Sequence, residues 1–165
     1  MEMIENIKTL LTERIDPRAI EEVQENGLQP ALYIRQEYLV KVCELLRDTE
    51  DFYFDFLANI TAVDYFPDPF FEVVYHLTSI PYQTQITLKV RVVADRDLNQ
   101  LPEVPSVVSV WRTADWHERE AYDLVGVYFT NHPDLRRILM PEDWQGYPLR
   151  KDYSDPEDYH GIPIN

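Results

Sequence analysis

The chain has 165 residues, of which 45% are hydrophobic and 13% aromatic, a composition typical of one folded globular domain. Its formal net charge of −15 disfavours sequence-independent binding to nucleic acid or to anionic lipid, because both would repel the chain. One cysteine, Cys43, excludes an intrachain disulfide and is too few for an iron–sulfur cluster.

The N-terminal half predicts a helix, a strand, a second helix and three further strands. Ile4, Ile7 and Leu11 recur at helical spacing, which predicts a short amphipathic helix that Pro17 ends. Gly27 is expected to mark a turn into the first strand. The later strands are predicted where aromatic and β-branched residues dominate. These elements are a strand over Ala31–Arg35, a helix over Gln36–Arg47, and strands over Asn59–Phe66, Phe70–Thr78 and Gln83–Val93.

The C-terminal half predicts helices followed by turns. Leu101–Pro105 contains two prolines and predicts a loop, and the spacing of Val107, Val110, Trp111 and Ala114 favours a helical segment after it. Asp115 is expected to cap a second helix, with Glu118 three residues on completing a capping box, and Gly126 is expected to end that helix in a left-handed conformation. A short strand over Val127–Phe129 follows.

The order of these elements predicts an α+β fold, a two-layer sandwich with a mixed or antiparallel sheet and helices on one face. Residues 1–143 are expected to form this domain. Residues 144–165 contain three prolines and no apolar period, yet they carry many aromatic side chains. They predict an extended C-terminal arm that is ordered mainly by a partner.

A dense pattern of charged and aromatic residues runs from Trp116 to Tyr153. It resembles the signature of the thirty-kilodalton subunit of respiratory complex I, which is the C-type subunit of bacterial NADH-quinone oxidoreductase. Ala62–Tyr65 and Val73–Leu77 are similar to the same family, more loosely. The signature positions are Glu118, Arg119, Glu120, Asp123, Leu124, Val125, His132, Arg136, Ile138 and Leu139, followed by Trp144, Gly146 and Pro148–Tyr153.

The resemblance implies a cofactor-free structural subunit in the peripheral arm of a proton-translocating enzyme. FMN, iron–sulfur clusters and quinone are then expected on partner subunits. This chain would brace the D-type subunit, the forty-nine-kilodalton type of the family, and lie near the cluster-bearing subunits. It would lie on the cytoplasmic side of the bacterial cell membrane and reach the membrane only through partners. The residues expected to dock on partners are Arg137, Trp144, Arg150, Lys151, Asp152 and Tyr153.

The residues themselves argue against chemistry on this chain. Glu118 and Glu120 are two positions apart on a predicted helix, so they point to different faces and do not share a substrate. A salt bridge between Arg119 and Asp123, four positions apart, is the structural expectation. His132 is expected to open a turn, with its ring bonded to backbone or to a partner. The four histidines and Cys43 lack metal-ligand spacing, and no dinucleotide fingerprint, P-loop or nucleophile elbow is present.

Two alternatives stay open. The first is the homologous subunit of a ferredoxin-dependent complex or of a membrane-bound nickel–iron hydrogenase. The second is an independent hydrolase that uses His117, Glu118 and Glu120, an interpretation that the spacing disfavours. Neighbouring genes or copurifying proteins would separate the first from complex I, and activity of the isolated chain would support the second.

Overall fold

The computed structural model describes residues 2–26 and 29–164 and has a mixed five-stranded sheet with helices packed on one face. The strand order is β1-β2-β5-β4-β3, in which only β2 and β5 are parallel. The α+β prediction is therefore confirmed. The helices are α1 (Glu2–Arg14), α2 (Leu39–Asp48) and α3 (Ala114–Val125), and the strands are β1 (Ile20–Gln24), β2 (Ala31–Ile34), β3 (Phe56–Asp64), β4 (Phe70–Ser79), β5 (Thr84–Val93), β6 (Glu103–Pro105), β7 (Tyr128–Thr130), β8 (Asp158–Tyr159) and β9 (Ile162–Pro163).

The core lies between the helices and one face of this sheet. Alternate residues of β4, from Phe71 to Leu77, are at most 1% exposed and meet the apolar stripes of α1 and α2. The opposite face of the same strand carries Glu72 and His76, which is the period-two alternation of a sheet with two different sides. The face that packs against the helices is therefore the apolar one and sets the register of the strands, although Glu72 and Val74 on the opposite face are buried as well.

Most predicted elements are present, with ends shifted by a few residues. Strand β1 was missed, because its sequence, with Glu21 and Glu22 exposed, has little of the apolar alternation that predicts a strand. The predicted loop Leu101–Pro105 also contains the short strand β6, which pairs in parallel with β7. The predicted turn at Gly27 lies outside the described residues.

Two predictions at the start of α3 are wrong. The segment from Val107 to Thr113 forms successive turns rather than a helix, and its apolar spacing reflects burial of Val107 and Trp111 in the core. Asp115 does not cap α3: the N-cap is Thr113, which makes no side-chain cap bond. At the other end Gly126 ends the helix in the left-handed conformation, with φ 74° and ψ 45°, as predicted.

Candidate functional site

The signature residues surround α3, and Glu118 is one of the buried members. Its side chain is fully buried, and the carboxylate accepts hydrogen bonds from the Ser106 hydroxyl at 2.6 Å and from the Val107 amide at 2.7 Å. Burial raises the pKa of Glu118 to about 7, although both hydrogen bonds oppose that shift. Glu118 therefore fastens α3 to the segment that follows β6 instead of capping its own helix.

His132 lies on the same buried side of α3. Its Nδ1 accepts from the Asp134 amide at 3.0 Å, which requires the neutral ring with the proton on Nε2. That Nε2 donates to the Asp115 carbonyl at 3.1 Å and lies 3.9 Å from the Glu118 carboxylate. The ring therefore bonds to backbone on both nitrogens, in agreement with the sequence prediction.

Asp123 organises the loop that follows β7. Its carboxylate is fully buried and accepts from three successive amides, those of Ile138, Leu139 and Met140, at 2.6–3.0 Å. Arg137 donates to the same carboxylate at 2.8 Å and to the Asp123 carbonyl at 2.9 Å. Burial alone would raise the pKa of Asp123, but these donors outweigh it and lower the pKa.

The predicted salt bridge between Arg119 and Asp123 is wrong. Arg119 instead lies 3.9 Å from the Asp115 carboxylate and donates to the Arg136 carbonyl at 3.3 Å. Its guanidinium also lies 4.8 Å from the centre of the Trp116 ring. Asp123 pairs instead with Arg137, fourteen residues away along the chain. The loop places the Arg137 guanidinium where it donates hydrogen bonds to the Asp123 carboxylate and to three backbone carbonyls at the same time.

A third buried carboxylate, that of Asp64 at the end of β3, holds the C-terminal segment. It accepts from two nitrogens of Arg96 and, at 2.8 Å, from the amide of Lys151. Burial opposes ionisation, but the Arg96 pair and the amide bonds lower the pKa of Asp64 to about 2. Arg96 also lies 3.4 Å from the carboxylate of Asp152. The sheet is thereby tied to residues that follow α3 by more than twenty positions.

Arg150 closes the C-terminal end of α3. It is 5% exposed and donates to the carbonyls of Val125 at 2.7 Å and Gly126 at 3.2 Å, where the helix dipole favours a cation. The centres of the Phe71 and Tyr147 rings lie 5.0 and 4.9 Å from the guanidinium carbon of Arg150. Burial lowers the pKa of Arg150. Arg137 and Arg150, both predicted to dock on partners, thus donate to groups inside the chain, although the buried Nη1 of Arg150 has no hydrogen-bond partner among the described residues.

The remaining predicted docking residues are more accessible. Lys151 is exposed, and 30% of the Asp152 side chain is exposed. Trp144 and Tyr153 are half-buried, and the indole N–H of Trp144 donates a hydrogen bond to the Tyr153 hydroxyl at 3.1 Å. Residues 144–153 therefore pack on the domain. Beyond them, the β8–β9 hairpin contacts the residue just before this segment: the Asp143 carboxylate accepts a hydrogen bond from the Tyr159 hydroxyl and bonds to the His160 ring, each at 2.8 Å.

The buried side chains around α3 bind mainly backbone groups, and the candidate catalytic side chains do not converge on one point. Glu118 lies on the buried side of α3, whereas Glu120 is exposed. The two carboxylates of the hydrolase hypothesis therefore lie on different sides of the helix. Among residues 2–26 and 29–164 no cluster of His, Cys, Asp and Glu is arranged to hold a metal ion. None of the helices described has the length and apolar character of a membrane span.

Three members of this network were missed from the sequence: Asp64, Arg96 and Ser106. Asp64 lies in the stretch Ala62–Tyr65 that resembles the family, and an acidic residue in an otherwise apolar strand was the available signal. Arg96 and Ser106 lie in loops, where no spacing rule indicates a partner that is 32 or 12 residues away.

The comparisons with known proteins agree on one family. A family model described as the 30 kDa subunit of respiratory-chain NADH dehydrogenase matches residues 32–159. A protein from a Roseiflexus species, named as the C subunit of NADH-quinone oxidoreductase, is 49% identical over 123 residues, which are 74% of this chain and 68% of that protein. A protein of the same name from Salinispora tropica is 43% identical over 151 residues, which are 88% of this chain and 60% of that protein.

Among solved structures, one similar chain belongs to the membrane-bound sulfane sulfur reductase, an archaeal respiratory membrane complex. The TM-score is 0.74, and the match covers 93% of this chain and 86% of the other. At 23% sequence identity the likeness concerns the fold. The α+β architecture is therefore shared with a chain of a respiratory membrane assembly.

Proposed function

The chain belongs to the family of 30 kDa subunits of respiratory-chain NADH dehydrogenase, and on that basis we propose that it is a structural subunit of a proton-translocating NADH-quinone oxidoreductase. In this proposal the complex transfers electrons from NADH to quinone. FMN, the iron–sulfur clusters and quinone are bound by other subunits. The chain belongs to the peripheral arm, on the cytoplasmic side of the bacterial cell membrane, and reaches the membrane through its partners.

One observation carries the structural role. The buried carboxylates of Glu118, Asp123 and Asp64 are all occupied by donors from this chain, mostly backbone amides. A general acid or base must keep a bond free for the substrate, whereas these groups hold three loops against α3 and the sheet. We therefore assign these three carboxylates a structural role rather than a catalytic one.

We propose that the shaped surface braces the D-type subunit and keeps the quinone site in register with the clusters. Positional errors of about one ångström are costly to catalysis, which gives a rigid subunit without cofactors a function. The exposed side chains of Lys151 and Asp152, together with the segment 154–164, supply the docking contacts of the C-terminal arm. Such charges contribute mainly to orientation and specificity.

Copurification followed by mass spectrometry tests this proposal. A tagged copy of the full chain, isolated from the cells that encode it, should bring down a D-type subunit and cluster-bearing subunits. Recovery of NADH-oxidising subunits supports the complex I assignment, whereas recovery of a ferredoxin-dependent module or a nickel–iron hydrogenase supports the related assembly.

A second measurement concerns the isolated chain. Purified alone, it should lack flavin and iron–sulfur absorbance and should not oxidise NADH. A stoichiometric cofactor on the monomer, or hydrolase activity that depends on His117, Glu118 and Glu120, would contradict the structural role.

A further inference from the structure

Three large apolar side chains remain exposed around α3. Trp116 is 63% exposed, Leu149 62% and Leu139 61%, although each belongs to a segment that is otherwise fixed by buried bonds. At 100° per residue, Trp116 and Glu120 lie on the outward side of α3, opposite buried Glu118. We call the set Trp116, Glu120, Leu139 and Leu149 the α3 surface.

The loops on either side of the helix place the two leucines at this surface. The Leu149 amide donates to the Leu124 carbonyl at 2.8 Å, and Leu149 shares a small recess with Glu120 and Leu124. On the other side the Leu139 amide donates to the Asp123 carboxylate at 2.6 Å. Asp123 and Leu124 flank the outward side of α3, so one leucine lies on each side of the row that contains Trp116 and Glu120.

Buried charges immobilise each of these positions. Asp123 and Arg137 hold the loop of Leu139, and Arg150 holds the segment of Leu149. The Arg119 guanidinium, 8% exposed, lies over the Trp116 ring and is itself bonded to the Arg136 carbonyl. A surface whose backbone is already held in place loses less conformational entropy on binding, and exposed tryptophan is a preferred anchor of protein interfaces.

From these features we infer that the α3 surface docks a partner subunit with a basic rim around an apolar recess. The recess receives the Trp116 indole, and a lysine or arginine of the partner pairs with Glu120. Charge complementarity supports this occupant: the chain carries a net charge of −15, and Glu120 is exposed and forms no ion pair with the residues that the structure describes. The inference rests on the proposed function, since it takes the partner to be another subunit of the same complex.

The test compares two substitutions on the α3 surface with two matched substitutions elsewhere. Trp116→Ala and Glu120→Lys alter the surface. The controls are Ile80→Ala, at a side chain that is 60% exposed, and Glu13→Lys, at an exposed position of α1. Each tagged full-length variant is expressed in cells that lack the native copy, and the partner subunits recovered with it are quantified by mass spectrometry. We expect Trp116→Ala and Glu120→Lys to lower recovery at least about tenfold, and the controls to leave it within about twofold.

The outcomes separate the two proposals. If the unaltered chain recovers the subunits and both surface variants recover them equally well, the docking inference is wrong while the proposed function stands. If the unaltered chain recovers none, the proposed function fails first. Thermal unfolding of the variants should match the unaltered chain because the altered side chains are exposed. Should Trp116→Ala unfold, Glu120→Lys alone decides, since it changes only a solvated charge.

Discussion

Replacing Asp123 by asparagine removes the charge at the centre of the loop that follows β7 while keeping the shape of the side chain. In the native chain both carboxylate oxygens are used, one by Arg137 and the other by the three amides of Ile138, Leu139 and Met140. Asparagine offers one acceptor oxygen and an NH2 group, so it presents a donor to groups that are all donors. It cannot satisfy both sides.

The cost follows from the burial of the pair. The Asp123 side chain is fully buried, and that of Arg137 is 12% exposed. Removing one partner of a buried ion pair costs about 3–5 kcal/mol, because the other charge stays buried without compensation. Arg137 keeps its bonds to the carbonyls of Trp144 and Gly146, which places the expected loss of the free energy of unfolding near the lower end of that range.

Urea denaturation of the isolated chain measures this loss. With a typical dependence of about 1–3 kcal/mol per molar urea, Asp123→Asn should lower the midpoint by at least about 1 M. Asp134→Asn is the matched control, since Asp134 pairs with Arg136 at 3.0 Å but is 55% exposed, and it should cost about 0–1 kcal/mol. Equal effects of the two substitutions would refute the assignment of Asp123 as the organiser of the loop.

Three further predictions follow from the same contacts. The pKa of Glu118 is raised by burial to about 7, so the folded chain holds an extra proton between about pH 4.5 and 7, and the free energy of unfolding should fall by about 3 kcal/mol as pH rises through that window. Glu118→Gln should flatten this slope in pH-dependent urea titrations, and an unchanged slope would exclude Glu118 as its source. Gly126→Ala should cost at least about 2 kcal/mol by thermal unfolding, because φ is +74° and a Cβ atom would lie 2.5 Å from the Tyr147 ring; a neutral effect would contradict this crowding. Limited proteolysis of the free chain should cut within residues 154–164 before residues 144–153, and the reverse order would show that the segment containing Arg150 is loosely held.

The sequence determined the elements whose burial repeats locally. The apolar stripe of α1 and the aromatic and β-branched residues of β3, β4 and β5 lie close together along the chain, so a short window of sequence contains the whole signal. The left-handed end of α3 at Gly126 was equally local, because it depends on the conformational freedom of one residue. The resemblance to the family was also carried by the sequence alone.

Only the tertiary structure decided which groups the buried charges bind. Local spacing paired Asp123 with Arg119 and made Glu118 part of a capping box, yet Asp123 binds Arg137 and Glu118 binds the segment after β6. Asp64 binds the amide of Lys151, 87 residues away. A neighbouring pair on a helix surface contributes only about 0.2–0.5 kcal/mol, whereas a buried carboxylate without donors costs several. The donors that packing brings to each carboxylate therefore prevail over spacing along the chain.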